Sequence, residues 1–144
     1  MGKVTASATQ TISASADRVL AALGDYDGTR AAILTEHFSE YQVREGGRGE
    51  GTVVHWKLAA TSKRVRDCLL TVTAPREDTL VETDANSSMV TTWTVAPAGA
   101  ESTVTVTTTW DGASGVGGFF ERIFAPGGLK KIYEAQLAKL EAAL

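Results

Sequence analysis

The protein has 144 residues, of which 43% are hydrophobic and 22% are charged, and its formal net charge is −3. This composition is typical of a globular domain that buries a core, and it excludes disordered and fibrous chains. The mild negative charge argues against a nucleic-acid partner, because such a partner requires a clustered basic face. We therefore expect one domain over residues 1–144 that does not bind nucleic acid.

Neither a secretory signal nor a membrane span is recognisable in the sequence. The N-terminal segment is polar and alternating, and no run approaches the roughly 18 apolar residues that a spanning helix requires. We therefore expect a cytoplasmic protein that does not insert stably into a membrane. A single cysteine, Cys68, excludes an internal disulfide, and with only two histidines the sequence predicts no metal site and no cofactor.

The first elements in chain order are one strand and two short helices. Val4 to Ile12 alternates apolar and polar residues, which predicts a strand with one exposed face. Ser13 or Ser15 can cap a short helix that ends at Gly24. After a turn, residues 29–34 predict a second short helix.

Strand patterns dominate the middle of the chain. Several segments there alternate or are rich in β-branched residues, and turn residues separate them. Short connections between successive strands predict hairpins and therefore an antiparallel meander. The predicted strands are residues 38–43, 52–59, 64–73, 80–85, 89–95 and 103–110.

The C-terminal segment predicts a long helix. Apolar residues recur there at helical spacing, which indicates an amphipathic helix of about four turns. An aromatic stripe at residues 119–124 precedes Pro126-Gly127-Gly128 and predicts a kinked lead-in. The apolar stripe of the helix comprises Leu129, Ile132, Tyr133, Leu137, Leu140 and Leu144.

This order of elements predicts an α+β fold with a cavity. A sheet of about seven antiparallel strands must cover its apolar face, and only the C-terminal helix is long enough to do so. One helix does not fill the concave side of a strongly curved sheet, so a gap remains between the helix and the strands. Apolar gaps of this kind are where small-molecule sites usually form. We therefore predict a helix-grip fold, in which the sheet wraps around the helix and a ligand cavity separates them.

Two stretches of sequence and the order of elements carry a family resemblance. Ile12 to Val19 and Gly49 to Trp56, together with the amphipathic C-terminal helix, are similar to the polyketide cyclase/dehydrase and lipid-transport family of the START-like (SRPBCC) superfamily, in particular to actinobacterial members. The resemblance covers essentially the whole chain. It implies a cavity that binds lipids, polyketides or other apolar molecules. Only some members of the superfamily are enzymes, so the resemblance leaves catalysis open.

Strand parity and helical spacing nominate the wall of the cavity. Residues of the same parity point to one face of a sheet, and the C-terminal helix adds its apolar stripe. The tryptophans among them supply broad contact area and an indole N–H that requires a partner, such as a ligand. The alternative is that these side chains simply fill a core. The predicted ligand-binding residues are Val54, Trp56, Leu58, Met89, Thr91, Trp93, Val106, Thr108, Trp110, Phe120, Ile123, Phe124, Ile132, Tyr133 and Gln136.

Candidates for catalysis are fewer and more scattered. Arg64 and Arg66 share the predicted inward face of their strand, where an arginine polarises a ketone, or they lie exposed at its open end. His55, Tyr133 and Glu82 are candidate proton carriers, although His55 has outward parity. Salt bridges between the two arginines and nearby carboxylates are the structural alternative.

Three functions remain open at this stage. The leading hypothesis is a carrier or sensor of a small apolar molecule, such as a lipid, a fatty acyl chain or a polyketide. The second is a cyclase or dehydratase that acts on a poly-ketone chain, and the third is a protein-interaction module. The sequence also leaves open whether the protein is a monomer or a homodimer, and whether the glycine-rich residues 112–118 form a lid or a connector.

Overall fold

The computed structural model describes residues 3–61, 64–111 and 126–144. These residues form strands and helices in the predicted order, which confirms the α+β architecture. The elements are β1 (Lys3–Ile12), α1 (Ala16–Leu23), α2 (Thr29–Ala32), β2 (Phe38–Glu45), β3 (Val53–Thr61), β4 (Arg64–Arg76), β5 (Thr79–Asp84), β6 (Val90–Ala98), β7 (Glu101–Asp111) and α3 (Pro126–Ala143).

The strands form one sheet of seven in the order β1-β7-β6-β5-β4-β3-β2. From β2 to β7 each strand pairs antiparallel with the next along the chain, which confirms the predicted meander. The register of β2 against β3 shifts between Ser39 and Gln42, and Glu40 between them has a φ of 54°. Irregularities of this kind bend a strand, and here the bend helps the sheet to curve around α3.

Alternating burial defines the concave face of the sheet. In β7 every second residue from Ser102 to Trp110 is buried, and the residues between them are at least partly exposed. β6 alternates in the same way through Thr91, Trp93 and Val95. Because successive Cβ atoms point to opposite faces of a strand, the buried set points towards α3. The predicted parity of these strands is confirmed.

The C-terminal helix α3 covers the concave face and is longer than predicted. It begins at Pro126 and contains 18 residues, about five turns. Proline suits the first turn of a helix because its missing N–H has no partner there, so Pro126-Gly127-Gly128 opens the helix instead of preceding it. The predicted lead-in at residues 119–124 lies outside the described residues. The buried side of α3 consists of Leu129, Ile132, Tyr133, Gln136, Leu137 and Leu140.

β4 also differs from the prediction at its end. The sequence predicts an end at Thr73, but the strand continues through Pro75 to Arg76. The register between β4 and β5 shifts between Thr73 and Arg76. A strand tolerates proline at such an irregularity, because no N–H is needed there for the ladder. The prediction was wrong because it treated Pro75 as a strand terminator.

The first two helices are short, and a side chain caps the N-terminus of α1. The Ser15 hydroxyl accepts a hydrogen bond from the backbone N–H of Arg18 at 3.4 Å, so Ser15 and not Ser13 is the N-cap of α1. Gly24 ends α1, as predicted. α2 is a single turn, Thr29–Ala32, and is therefore two residues shorter than the predicted helix.

A glycine-rich turn between β2 and β3 holds the connection between α1 and α2. The backbone N–H of Tyr26 donates to the carbonyl of Gly47 at 2.9 Å, and the N–H of Gly49 donates to the carbonyl of Gly24 at 2.8 Å. Gly47 has a φ of 138°, a conformation that favours glycine. These bonds anchor the segment that directs Tyr26 and Arg30 into the interior, where both are buried.

Candidate functional site

A cavity lies between the concave face of the sheet and α3. Its volume is about 20 Å³, roughly the space for one water molecule. Most of its wall is apolar, and a smaller part is polar or charged. The wall consists of Arg30, Phe38, Trp56, Leu58, Cys68, Leu70, Glu82, Met89, Thr91, Tyr133 and Gln136. A molecule larger than water therefore enters only if some of these side chains move.

A larger groove of about 500 Å³ lies on the outside of the molecule, between α1 and the glycine-rich turn. Its charged side chains are Asp17, Arg48 and Glu50, and each is at least partly exposed to solvent. Water therefore satisfies their hydrogen-bonding groups without a ligand. The internal cavity is the stronger candidate site, because its polar groups are removed from water.

A buried ion pair forms the charged part of the cavity wall. Arg30 of α2 is 2% exposed and Glu82 of β5 is 1% exposed. Arg30 donates to Glu82 from Nε and from Nη2, each at 3.2 Å. Glu82 also accepts from the Tyr26 hydroxyl at 2.6 Å and from Trp93 Nε1 at 3.2 Å. The carboxylate is thus both paired and hydrogen-bonded, as a buried charge requires.

Aromatic rings surround the guanidinium of Arg30. Its Cζ atom lies 4.8 Å from the ring centre of Trp93, 5.4 Å from that of Trp56 and 5.8 Å from that of Tyr26. Such contacts attract a cation to the face of the ring. Burial disfavours the charged guanidinium, but the Glu82 carboxylate and the nearby tyrosines together outweigh this and raise the pKa of Arg30. Arg30 therefore stays charged, and the ion pair as a whole is neutral.

A hydroxyl cluster joins α3 to the sheet beside the ion pair. Tyr133 Oη is hydrogen-bonded to Thr108 Oγ1, and Thr91 Oγ1 lies 2.7 Å from Thr108 Oγ1 and 3.4 Å from Tyr133 Oη. Burial raises the pKa of Tyr133 to about 12. The phenol is therefore neutral near pH 7, where it can share hydrogen bonds but is a poor proton acceptor.

Two side chains of the cavity wall hold buried polar atoms that lack a hydrogen-bond partner among the described residues. They are Nε2 and Oε1 of Gln136, whose side chain is fully buried, and Nη1 of Arg30. Buried polar groups nearly always have a partner, because leaving one unpaired costs about 1–3 kcal/mol. The unpaired N–H donors and the unpaired carbonyl acceptor thus belong to side chains that line the cavity.

The structure places the predicted ligand-binding residues in three groups. Those that line the cavity are Trp56, Leu58, Met89, Thr91, Tyr133 and Gln136. Those that are buried in the core behind it are Val54, Trp93, Val106, Thr108, Trp110 and Ile132. Those that lie outside the described residues are Phe120, Ile123 and Phe124, as does the suggested lid at residues 112–118. One expectation is corrected: the indole N–H of Trp93 has a protein partner, Glu82, and needs no ligand to satisfy it.

The candidate proton carriers separate into two places. His55 lies on the convex face, where its Nε2 is 2.7 Å from Asp67 Oδ1 and its Nδ1 is 3.0 Å from the carbonyl oxygen of Glu40. Its outward parity is therefore confirmed, and it is not part of the cavity wall. Glu82 and Tyr133 do line the cavity.

The two candidate arginines of β4 are not part of the described cavity wall. Arg66 is partly exposed near the start of the strand, and the side chain of Arg64 lies outside the described side chains. The sequence suggested that nearby carboxylates form ion pairs with the arginines of β4. For Glu82 this is wrong, because its partner is Arg30 of α2. Asp67, another carboxylate of that group, pairs with His55.

Four residues of the cavity wall were not predicted as site residues, namely Arg30, Phe38, Cys68 and Leu70. The charged one among them is Arg30. It stands in a one-turn helix, where an arginine is normally exposed to solvent. Its partner Glu82 is 52 residues further along the chain. The available signal was Glu82 itself, since it has the same strand parity as Leu80, and a buried carboxylate requires a cationic partner.

Within residues 3–61, 64–111 and 126–144, no three His, Cys, Asp or Glu side chains converge as metal ligands would. No helix in this part of the chain is both long enough and apolar enough to cross a membrane.

The chain is similar in sequence and fold to known proteins. The family described as polyketide cyclase/dehydrase and lipid transport matches residues 2–144. The chain belongs to this family. The KanY protein, known from a solution structure, is 52% identical to it, with a TM-score of 0.90 over 99% of this chain and 98% of KanY. No curated protein matches the chain.

More distant relatives share the fold. A START superfamily protein from Mycobacterium smegmatis is 12% identical, with a TM-score of 0.72 over 99% of this chain and 97% of its own. The Zhui aromatase/cyclase from Streptomyces sp. R1128 is 14% identical, with a TM-score of 0.71 over 99% and 97% of the two chains. These likenesses show the helix-grip fold. At such low identity, the ligand and any reaction must be argued from the residues of this chain.

Proposed function

We propose that this protein binds a small, mainly apolar molecule between the sheet and α3, as a carrier or a sensor. The observation that carries the proposal is the make-up of the cavity wall. Apolar side chains such as Phe38, Leu58 and Met89 adjoin a buried polar cluster that includes Gln136. Small-molecule sites usually combine a mostly apolar wall with a few placed polar groups. A lipid, a fatty acyl ester or a polyketide-like molecule has the matching chemistry.

The alternative is a cyclase or dehydratase that acts on a poly-ketone chain. Arg30 supplies an electrophile in the cavity wall, which favours this candidate. A proton carrier is harder to find, because Glu82 is held by three donor residues and the pKa of Tyr133 is about 12. These groups favour binding over acid–base catalysis. Turnover of a poly-ketone by the wild type, abolished in Tyr133→Phe with substrate affinity retained, would favour the enzyme.

We further infer that the protein acts in the cytoplasm as one domain, either as a monomer or as a homodimer, without nucleic acid or stable membrane insertion. The net charge of −3 supports the absence of a nucleic-acid partner, since it provides no excess of basic residues for phosphates. The free, buried thiol of Cys68 suits a reducing compartment. Size-exclusion chromatography with light scattering distinguishes the two oligomeric states.

Native mass spectrometry of the freshly purified protein, followed by organic extraction, tests the proposed binding. We expect a discrete added mass that disappears on denaturation and is recovered in the extract. A clean protein mass, with no change in Tm on addition of lipids, acyl esters or aromatic ketones, would contradict the proposal. Ligand found together with a change in its chemical structure would favour the enzyme instead.

A pair of variants on β4 tests whether the cavity is the place of binding. Cys68→Phe fills the cavity, because Cys68 lines it, whereas Val65 lies on the same strand and is 53% exposed. We expect Cys68→Phe to lose the bound mass and Val65→Phe to retain it. Retention in both variants would place the ligand elsewhere on the protein.

A further inference from the structure

We propose that the cavity recognises an uncharged carbonyl oxygen of its ligand, with Gln136 and Arg30 as the hydrogen-bond donors, and that it discriminates against carboxylates. This inference rests on the proposed function and specifies the chemical class of the ligand at the same site. The class comprises ketones, esters, thioesters and amides of otherwise apolar molecules.

The unpaired hydrogen-bond donors and acceptors of the cavity wall indicate which polar group a ligand must have. The Gln136 amide has two N–H donors and one carbonyl acceptor, and Nη1 of Arg30 has two N–H donors. Neither group has a hydrogen-bond partner among the residues that the structure describes, and both side chains line the cavity. Donors thus outnumber acceptors, so an acceptor oxygen of the ligand is the complementary group. A hydrocarbon would leave all of them unpaired in a dry interior.

The net charge of the cavity wall favours an uncharged ligand group. Arg30 is already neutralised by Glu82, to which its Nε and Nη2 donate. The Tyr26 hydroxyl and the Trp93 indole are directed to the same carboxylate and are therefore not free for a ligand. A carboxylate ligand would add a second negative charge beside a single positive one, away from water, which is strongly unfavourable. A neutral carbonyl receives hydrogen bonds without this penalty.

The size of the cavity agrees with recognition of a single atom. Its volume of about 20 Å³ holds one oxygen atom but not a whole ligand. The rest of the molecule therefore displaces apolar side chains of the wall, such as Leu58 and Met89, while the oxygen occupies the polar end. Methionine adapts readily to such repacking.

Three ligands that share one aromatic ring system test the proposal on the wild-type protein. Acetylnaphthalene, ethylnaphthalene and naphthoate, substituted at the same ring carbon, present a ketone, a hydrocarbon and a carboxylate. By isothermal titration calorimetry at pH 8 we expect the ketone to bind about tenfold more tightly than either of the others. Equal affinity for the ethyl compound, or tighter binding of naphthoate, would overturn the inference but leave the proposed function standing. Binding of none of the three would count against both.

A matched pair of variants assigns the preference to Gln136. Gln136→Leu replaces the amide with an apolar side chain of similar size. Gln42→Leu makes the same exchange on the exposed surface of β2. We expect Gln136→Leu to weaken acetylnaphthalene binding about fivefold or more without weakening ethylnaphthalene binding. Gln42→Leu should bind both as the wild type does. If Gln136→Leu does not fold, Gln136→Met replaces it. Wild-type affinity for the ketone in the folded variant would overturn the assignment.

Discussion

Glu82 illustrates how this protein accommodates a charge in its interior. Its carboxylate accepts hydrogen bonds from Tyr26, Arg30 and Trp93, which come from the segment after α1, from α2 and from β6. The ion pair therefore ties the short helices to the sheet. Removal of one charge leaves the other buried without a counter-charge, which is the costly case for a buried pair.

We expect Glu82→Gln to lower the free energy of unfolding by about 3–5 kcal/mol, because it leaves the Arg30 cation buried and unbalanced. Urea denaturation followed by tryptophan fluorescence measures the loss. Glu77→Gln is the matched control, since Glu77 is exposed on the surface, and it should change stability by less than about 0.5 kcal/mol. A loss below about 1 kcal/mol for Glu82→Gln would contradict the role given to the pair.

The thiol of Cys68 should be unreactive in the folded protein. Burial raises its pKa to about 12, and the nearby carboxylate of Asp84 adds to this effect. Because the thiolate is the nucleophile, we expect almost no reaction with Ellman's reagent at pH 8, and complete reaction after unfolding in guanidinium chloride. Rapid reaction of the native protein would show that the cavity wall is open to solvent at this position.

Single residues of the site were predictable only where a local pattern identifies them. Trp56, Thr91 and Gln136 follow from strand parity and helical spacing. Arg30 does not, because its burial depends on Glu82, a residue from a distant part of the chain. A local pattern carries no information about such a partner.

At the scale of elements, the existence of the strands and of α3 followed from hydrophobic periodicity, whereas their ends did not. β4 passes through Pro75, and α3 begins at Pro126. Proline is tolerated at both places because no backbone N–H is needed there. Whether an N–H is needed depends on the neighbouring strand or turn, which the sequence does not specify.

Two glycine-to-alanine exchanges should have opposite effects on stability. Gly128 lies in α3, and a Cβ added there meets nothing within 4 Å. Gly128→Ala should therefore stabilise the protein by about 0.5–1 kcal/mol. Gly47→Ala should destabilise it, because Gly47 has a φ of 138° and an added Cβ would overlap the Asp27 carboxylate. Thermal unfolding followed by circular dichroism measures both, and a change of the same sign would contradict this account of the two elements.

At the scale of the whole molecule, the order of elements was sufficient to predict a sheet wrapped around one helix. It also predicted a gap between them, but not that the gap holds only about 20 Å³. That volume depends on how side chains such as Phe38 and Leu70 interlock, which is a property of packing in three dimensions. The sequence therefore predicted the place of the candidate site better than its size and its charge.

Alkaline pH should destabilise the fold, with Tyr133 as one identifiable cause. Its pKa is raised from 10.0 to about 12 by burial, so the folded state favours the neutral phenol. The resulting contribution to stability is fully present below pH 10 and is lost as the pH rises towards about 12. Urea unfolding across this range should show a steeper decline for the wild type than for Tyr133→Phe. Parallel declines would contradict the assignment.

The most direct test of the central claim is a nuclear magnetic resonance titration of nitrogen-labelled protein with acetylnaphthalene. We predict that the side-chain signals of Gln136 and Arg30 shift and saturate together, because both groups donate to the bound oxygen at the cavity. If those signals stay unchanged while backbone signals of the outer groove, such as those of Leu20 and Gly49, shift instead, the ligand binds outside the cavity and the account is wrong.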